Sequence, residues 1–118
     1  MIKIYGIKNC DTMKKAFKWL EDNDLDYQFH DYRKDGIDEG LVKGFVDELG
    51  IELVLNKRGG TWRKLPDEMK NRVDERRAIS LLVENEAMIK RPIFDLGNVR
   101  VIGFSKQEQG ILADLLSK

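Results

Sequence analysis

The first fifty residues alternate between the two hydrophobic periods that distinguish strands from helices. Apolar Ile2 and Ile4 occupy alternate positions ahead of Gly6, which predicts a short strand ending in a loop. Apolar residues then recur at i, i+3, i+4 and i+7, which predicts an amphipathic helix that ends at Asn23. The residues of this apolar stripe are Met13, Ala16, Phe17 and Leu20.

The same alternation is repeated over the next segment. Aromatic and polar residues alternate over 27–32, which predicts a second strand. Asp38 is a candidate cap for a second helix, with Gly50 just past its end. The apolar residues of that helix are Leu41, Phe45 and Leu49. A β-α-β-α order with short connections predicts an α/β fold whose first two strands are parallel.

The second half of the chain predicts more helices and two further strands. Proline and acidic residues at 65–68 are typical of a helix's first turn, and another helix is predicted through residues 78–86. Strands are predicted at Ile93 and Phe94 and over the apolar residues Val99, Val101 and Phe104. A capping box at residues 105–108 opens a last helix containing Ile111, Leu112, Leu115 and Leu116. No linker or repeat interrupts residues 1–118, so we expect a single domain.

Charge and cysteine content exclude several classes of function. The chain has 21 Lys and Arg residues and 21 Asp and Glu residues, so its formal net charge is zero. The charge balance therefore gives no indication of a nucleic acid or a membrane as a partner. No apolar run is long enough to span a bilayer. The single cysteine excludes an intrachain disulfide, and no metal site is expected. We expect a cytoplasmic protein, because that compartment keeps thiols reduced.

Although the net charge is zero, the chain contains one acidic stretch and one basic stretch. Residues 21–52 hold eleven acidic side chains and three basic ones. Residues 56–77 hold eight basic side chains, among them Arg63, Arg72 and Arg76, against four acidic ones. This polarity is compatible with a protein partner.

Cys10 is the strongest candidate for a reactive group. It lies in the turn after the first strand, at the start of the first helix, where backbone N–H groups and the positive end of the helix dipole face the sulfur. Lys8, Lys14 and Lys15 add positive charge nearby. Such surroundings lower a thiol pKa and produce a nucleophilic thiolate. The alternative is a small buried apolar side chain.

Three further features accompany the cysteine. Met13 stands where a C-x-x-C motif would have its second cysteine, so an intrachain dithiol cycle is excluded, and a small thiol such as glutathione would resolve any intermediate. Pro92, at the start of an apolar strand, indicates an edge strand or a cis bond after Arg91. Arg58 precedes two glycines and could hold an oxyanion or a carboxylate, although a solvated loop is the simpler interpretation.

Several segments together resemble YffB-type proteins of the arsenate reductase/Spx family. They cover nearly the whole chain, and each is weakly specific on its own. The segments are Ile4-Tyr5-Gly6-Ile7-Lys8-Asn9-Cys10-Asp11-Thr12, Lys14-Lys15-Ala16, Phe29-His30-Asp31-Tyr32-Arg33, Leu55-Asn56-Lys57-Arg58-Gly59, Thr61-Trp62-Arg63-Lys64-Leu65, Ile89-Lys90-Arg91-Pro92 and Gly103-Phe104-Ser105.

The resemblance implies a fold and a set of site residues. The fold would be a thioredoxin-like, four-stranded mixed sheet with a helical insertion at about residues 36–87. Cys10 would be the redox nucleophile, and Arg58 and Arg91 would bind the oxyanion or thiol substrate. Pro92 would follow a cis bond beside the bound thiol. The neighbours of the cysteine expected to contact glutathione or substrate are Asn9, Asp11 and Thr12.

The chain also departs from the family pattern. Arsenate reductases of this type have a hydroxyl residue where Met13 stands and a third arginine where Gly103 stands, so part of their anion cage is missing. The loop before the cysteine, residues 6–9, also differs. Members resembling Spx bind the α subunit of RNA polymerase, and many use a C-x-x-C switch that this chain lacks.

The leading interpretation is a thiol-disulfide oxidoreductase that uses glutathione as co-substrate and no metal. Its substrate would be a glutathionylated protein, a small disulfide or an oxyanion. One alternative is a non-catalytic, Spx-like module that docks a protein through the charged insertion, and another is arsenate reduction. His30 has no partner in the sequence that suggests a role in the chemistry, so it is assigned to structure.

Overall fold

The computed structural model describes residues 2–71, without the Asn71 side chain, and 74–117. Arg72, counted above among the basic residues, therefore lies outside the described residues. The elements are β1 (Ile2–Gly6), α1 (Asp11–Asp22), β2 (Tyr27–Asp31), α2 (Glu39–Leu49), α3 (Ile51–Val54), α4 (Gly60–Arg63), α5 (Asp67–Asn71), α6 (Glu75–Glu84), β3 (Ile93–Asp95), β4 (Arg100–Ile102) and α7 (Lys106–Leu116). The chain divides into two compact units, residues 1–35 with 91–118, and residues 36–90.

The first unit contains a four-stranded mixed sheet in the order β2-β1-β3-β4. β1 and β2 are parallel, with Gly6 opposite Asp31, because α1 carries the chain back between them. β3 runs antiparallel to β1, with Tyr5 opposite Ile93, and β4 runs antiparallel to β3. The α/β class and the parallel first pair predicted from the sequence are both confirmed.

One face of this sheet forms the core of the first unit with α1 and α7. Ile2 and Ile4 lie on that face because side chains two apart in a strand point the same way. The other buried members of the cluster are Met13, Ala16, Leu20, Phe94, Val101 and Leu112. Leu112 is the buried residue of α7, while Ile111 and Leu115 remain exposed because they lie on another side of the helix.

Capping residues place the helix starts where the sequence predicts them. The Asp38 carboxylate accepts a hydrogen bond from the Leu41 N–H at 2.8 Å and begins α2. Ser105 and Glu108 form the predicted capping box, in which Glu108 accepts from the Ser105 N–H at 2.9 Å. These bonds satisfy N–H groups that the first helical turn leaves without intrahelical partners.

The second unit, residues 36–90, contains α2 to α6. The apolar side of α2 is centred on Val42, Phe45 and Val46, while Leu41 and Leu49 are only half-buried at its margins. α6 ends at Glu84 rather than continuing through Glu86, because the chain turns at Asn85 into a 3₁₀ turn at 86–88. An antiparallel bridge joins Leu55 to Ile89.

No helix in the described ranges is both long enough and apolar enough to cross a membrane.

Candidate active site

Three strand ends meet beneath Cys10 in the first unit. The Tyr32 N–H, just after β2, donates to the carbonyl of Gly6 at the end of β1 at 2.9 Å. On the other side of β1, Ile93 lies opposite Tyr5, which brings the preceding Arg91 and Pro92 to the same edge. Because β3 runs antiparallel to β1, Arg91 and Pro92 lie near Cys10 at the start of α1, although they are some eighty positions away in the sequence.

Cys10 occupies the N-cap of α1. Its backbone is extended, with φ −139° and ψ 129°, and its carbonyl accepts the first helical hydrogen bond from the Lys14 N–H at 3.0 Å. The side chain is half-buried against the core and is the chain's only thiol. The side chain makes no capping hydrogen bond, while the backbone N–H groups of Met13 and Thr12 act to lower its pKa and so favour a thiolate.

The net effect of these surroundings is to lower the pKa of the Cys10 thiol. Burial is the largest single influence and raises the pKa, because a charged sulfur loses hydration on burial. The Met13 N–H, the hydrogen bond and positive charge of Arg91, and the Thr12 N–H together outweigh burial. This direction agrees with the activated thiolate expected from the sequence, which stays a prediction, and the cation that contributes to the shift is Arg91. Lys8, Lys14 and Lys15, which the sequence suggested, are exposed.

Arg91 and Pro92 form the other side of this site. Arg91 is half-buried with its guanidinium at the Cys10 sulfur, and Pro92 is buried. The Arg91–Pro92 peptide bond is cis, as the resemblance implies. The Pro92 carbonyl accepts a hydrogen bond from the Gly103 N–H at 2.9 Å, which joins this turn to the end of β4. Asn9, Asp11 and the Thr12 side chain are exposed around the cysteine.

Arg58 belongs to the second unit. It is exposed in a turn that Asn56 holds, because the Asn56 side-chain oxygen accepts from the Arg58 N–H at 3.1 Å. The Asn56 N–H in turn donates to the Met88 carbonyl at 2.8 Å. Next to this turn, the Lys57 ammonium lies 5.6 Å from the centre of the Trp62 ring. A substrate-binding role for Arg58 stays a prediction.

Tyr32 is a residue of the site region to which the sequence gave no role. Only 3% of it is exposed, and within residues 2–71 and 74–117 its hydroxyl has no hydrogen-bond partner. Burial raises the Tyr32 pKa far above its ordinary value; Tyr5 raises it further, and the Arg91 charge lowers it in part. The Tyr32 ring stacks on the Tyr5 ring with 6.3 Å between ring centres, and the His30 ring centre lies 5.0 Å from that of Tyr5.

Two of the departures from the arsenate reductase pattern, at Met13 and Gly103, have structural explanations. Met13 is fully buried in the core of the first unit. Gly103 has φ +95°, in the left-handed region that residues with a β-carbon rarely adopt. An arginine at position 103 would strain the backbone, because its side chain has a β-carbon. Glycine fits this backbone conformation without strain.

Comparison with known proteins identifies the family. The model of the ArsC family matches residues 5–111. The chain belongs to the ArsC family. An uncharacterized protein of Haemophilus influenzae is 45% identical over 92% of this chain and 95% of its own length. The global transcriptional regulator Spx of Listeria innocua is 22% identical over 92% of this chain and 83% of its own.

Solved structures of ArsC relatives share the fold. A protein named YFFB superposes with a TM-score of 0.88 at 42% identity, covering 96% of this chain and 97% of that one. An arsenate reductase (ArsC) related protein from Brucella melitensis superposes with a TM-score of 0.79, also at 42% identity, covering 93% and 92% of the two chains. The ArsC-like thioredoxin fold that the resemblance implied is confirmed.

Proposed function

We propose that this ArsC-family chain catalyses thiol-disulfide exchange with glutathione through Cys10. The observation that carries the proposal is the Cys10 sulfur held between the N-terminus of α1 and the Arg91 guanidinium. Both features favour the thiolate over the thiol, and the thiolate is the nucleophile in exchange. Because this is the chain's only thiol, a second thiol must come from another molecule.

The chemistry takes two balanced steps. The Cys10 thiolate attacks the glutathione sulfur of a glutathionylated disulfide substrate; a new S–S bond forms between Cys10 and glutathione, and the substrate's other sulfur leaves as a thiolate. A second glutathione thiolate then attacks the glutathione sulfur of the adduct. This step releases glutathione disulfide and restores the Cys10 thiolate. The substrate disulfide is reduced by two electrons, and the glutathione that it carried leaves joined to one free glutathione as glutathione disulfide.

The residues beside the sulfur would bind the tripeptide. The Arg91 guanidinium is the cation for a glutathione carboxylate, and the backbone around the cis Pro92 would pair with the bound peptide. Exposed Asn9, Asp11 and Thr12 surround the sulfur at the rim. Arg58 is the second proposed carboxylate-binding arginine, a role that rests on the family resemblance alone.

The pH dependence of Cys10 alkylation tests this proposal directly. The reaction needs no variant to assign the signal, because the chain has one cysteine. We expect a midpoint below the ordinary cysteine value of about 8.5, followed by a glutathione adduct detectable by mass spectrometry. Cys10→Ser is the control that removes both signals. A midpoint at or above the ordinary value, or a thiol that reacts only on unfolding, would contradict the proposal.

A second candidate is protein docking of the Spx kind, since relatives bearing that name match 92% of this chain. The basic residues of the second unit, among them exposed Arg76, would contact the RNA polymerase α subunit. Binding to the purified subunit separates the two candidates. Reversing charge at Arg63 and Arg76 would weaken docking and leave Cys10 alkylation intact, whereas Cys10→Ser would do the opposite.

Arsenate reduction is a third candidate, favoured by the 42% identical relative named as related to arsenate reductase. The buried Met13 and the left-handed Gly103 argue against a complete anion cage. Arsenate-dependent oxidation of glutathione in the presence of the protein would support it, and its absence would exclude it.

A further inference from the structure

The outer face of α7, the side turned away from the core, carries an exposed apolar pair. Ile111 is 42% exposed and Leu115 is 38% exposed, and the two side chains lie one turn apart on the same side of the helix. They are the exposed large hydrophobic side chains among the described residues of the first unit. The neighbouring residues on this face indicate what kind of partner would cover them.

Gly110 lies in the interior of α7, on the same exposed face. Glycine is the least favourable residue after proline at such a position, because the helix fixes a backbone that is unusually free in the unfolded chain. Apart from the neighbouring backbone of the helix, no atom of the described residues lies within 4 Å of where a β-carbon would be. Packing within one copy therefore does not require a glycine here, while its missing side chain allows a second helix to approach closely.

The charges of this face are placed against the dipole of α7. Lys106 is the first residue of the helix, at the positive end of the dipole, and Asp114 lies in the last turn, at the negative end. Both are exposed, and neither forms an ion pair within residues 2–71 and 74–117. A second α7 running in the opposite direction would compensate both charges, because it would bring an aspartate to Lys106 and a lysine to Asp114.

We propose that the outer face of α7 binds a second copy of this chain, with the two α7 helices packed antiparallel about a twofold axis near Gly110 and Ile111. A twofold axis pairs the same surface of both copies, so each contact occurs twice. One ion pair between Lys106 and Asp114 forms on each side of the axis. The Ile111 and Leu115 side chains leave water between the two helices.

The size of α7 predicts how tightly the two copies associate. The helix has 11 residues, so a pair of them buries less than the roughly 1,600 Å² of a standard stable interface. We expect a weak dimer with a dissociation constant between about 10 µM and 1 mM. The association does not depend on the chemistry of Cys10.

A charge swap tests the antiparallel pairing. Dissociation constants are measured by sedimentation velocity for Lys106→Asp and Asp114→Lys, each alone, as an equimolar mixture, and combined in one chain. Each single variant should weaken self-association about tenfold, because like charges then meet on both sides of the axis. The mixture and the double variant should restore wild-type association, because opposite charges meet again.

Matched controls separate this pairing from net charge and from unfolding. Lys64→Asp and Asp67→Lys change the net charge equally at exposed positions of the second unit, and alone or mixed they should associate as wild type does. In dilute solution the α7 variants should be at least as stable to heat as wild type, because each removes a charge that opposes the helix dipole. A control pair that reproduces the loss and the recovery would overturn the proposal.

Gly110→Gln provides a second test. Glutamine is a better helix former than glycine, so the dilute variant should be more stable to heat. Its side chain would occupy the space between the helices, so self-association should weaken. In NMR spectra of wild type, the amide signals that shift with protein concentration should belong to α7. Shifts confined to another surface, or a wild type that stays monomeric at about 1 mM, would overturn the proposal.

Discussion

The side chain of Met13 packs directly over the α-carbon of Gly6. A β-carbon at position 6 would lie 2.5 Å from the Met13 sulfur and 2.7 Å from its terminal methyl. This contact joins the end of β1 to the first turn of α1, on either side of Cys10. The methionine that replaces the second cysteine of a C-x-x-C motif is therefore a packing residue, fitted to a glycine.

Gly6→Ala should destabilise the protein by about 1–3 kcal/mol, the usual result of overfilling a packed core. The flexible thioether must move, and full burial of Met13 leaves it little space. Urea unfolding of the variant measures the loss. In a Met13→Ala background, Gly6→Ala should lower the free energy of unfolding by less, because the atoms that clash with the new β-carbon are absent. An equal cost in both backgrounds would show that the strain lies elsewhere.

Met13→Cys should form a disulfide with Cys10 on mild oxidation. The Met13 N–H already faces the Cys10 sulfur, and a cysteine three residues after a helix N-cap reproduces the C-x-x-C arrangement. We expect two titratable thiols after reduction and none after oxidation, with the mass lower by two hydrogens. Met13→Ser is the control and should keep one thiol throughout. Two persistent thiols in oxidised Met13→Cys would show that the two side chains cannot meet.

Arg91→Gln should raise the pKa of the Cys10 thiol. The guanidinium stabilises the thiolate by charge and by a hydrogen bond, and glutamine keeps the length without the charge. The alkylation midpoint should rise above that of wild type, because the thiolate loses a charge-assisted hydrogen bond. Arg91→Lys should recover part of the shift, because it keeps the charge without the planar fork.

Lys18→Gln is the control for Arg91→Gln. It removes one positive charge from α1, but from a lysine that is exposed and paired with Asp22 at 3.0 Å. Its alkylation midpoint should equal that of wild type. The same shift in both variants would mean that net charge, rather than the Arg91 contact, sets the acidity of Cys10.

The stability of the wild type relative to Cys10→Ser should depend on pH with a defined sign. Because the folded pKa of Cys10 is lowered, the unfolded chain binds the thiol proton more tightly than the folded chain does. The thiolate's contribution is therefore complete above the unfolded pKa of about 8.5, and it disappears as the pH falls through the folded pKa.

Urea unfolding of both proteins over this pH range measures that difference. Between the two pKa values, the free-energy difference should rise by at most about 1.4 kcal/mol per pH unit, the limit for one proton. A difference that falls with rising pH would contradict a lowered folded pKa.

Tyr32→Phe should leave the stability of the free protein unchanged or raise it by about 1 kcal/mol. The variant keeps the ring stacked on Tyr5 and removes a hydroxyl that has no hydrogen bond within the described residues. Removing an unsatisfied buried polar group relieves its desolvation penalty. A clear loss of stability on thermal unfolding would instead reveal a partner for the hydroxyl in the free protein.

Local signals in the sequence predicted the first unit well. The bounds of β1 and α1 follow from the strand and helix periods, and Ser105 with Glu108 marks the start of α7. The prediction for α6 was less accurate, because Glu86 continues the helical composition although the backbone has already turned at Asn85. Such a turn depends on packing in the second unit, including the bridge between Leu55 and Ile89, which no local period encodes.

The sequence by itself determined that Cys10 caps a helix after a strand, since the capping position depends only on the neighbouring residues and their periodicity. It could not determine from local patterns that Arg91 supplies the cation at the sulfur, or that Tyr32 is buried just after β2. These placements depend on β1 pairing with β2 on one side and β3 on the other. Hydrogen-bond register between strands distant in sequence is a property of the folded sheet, and only the tertiary structure decides it.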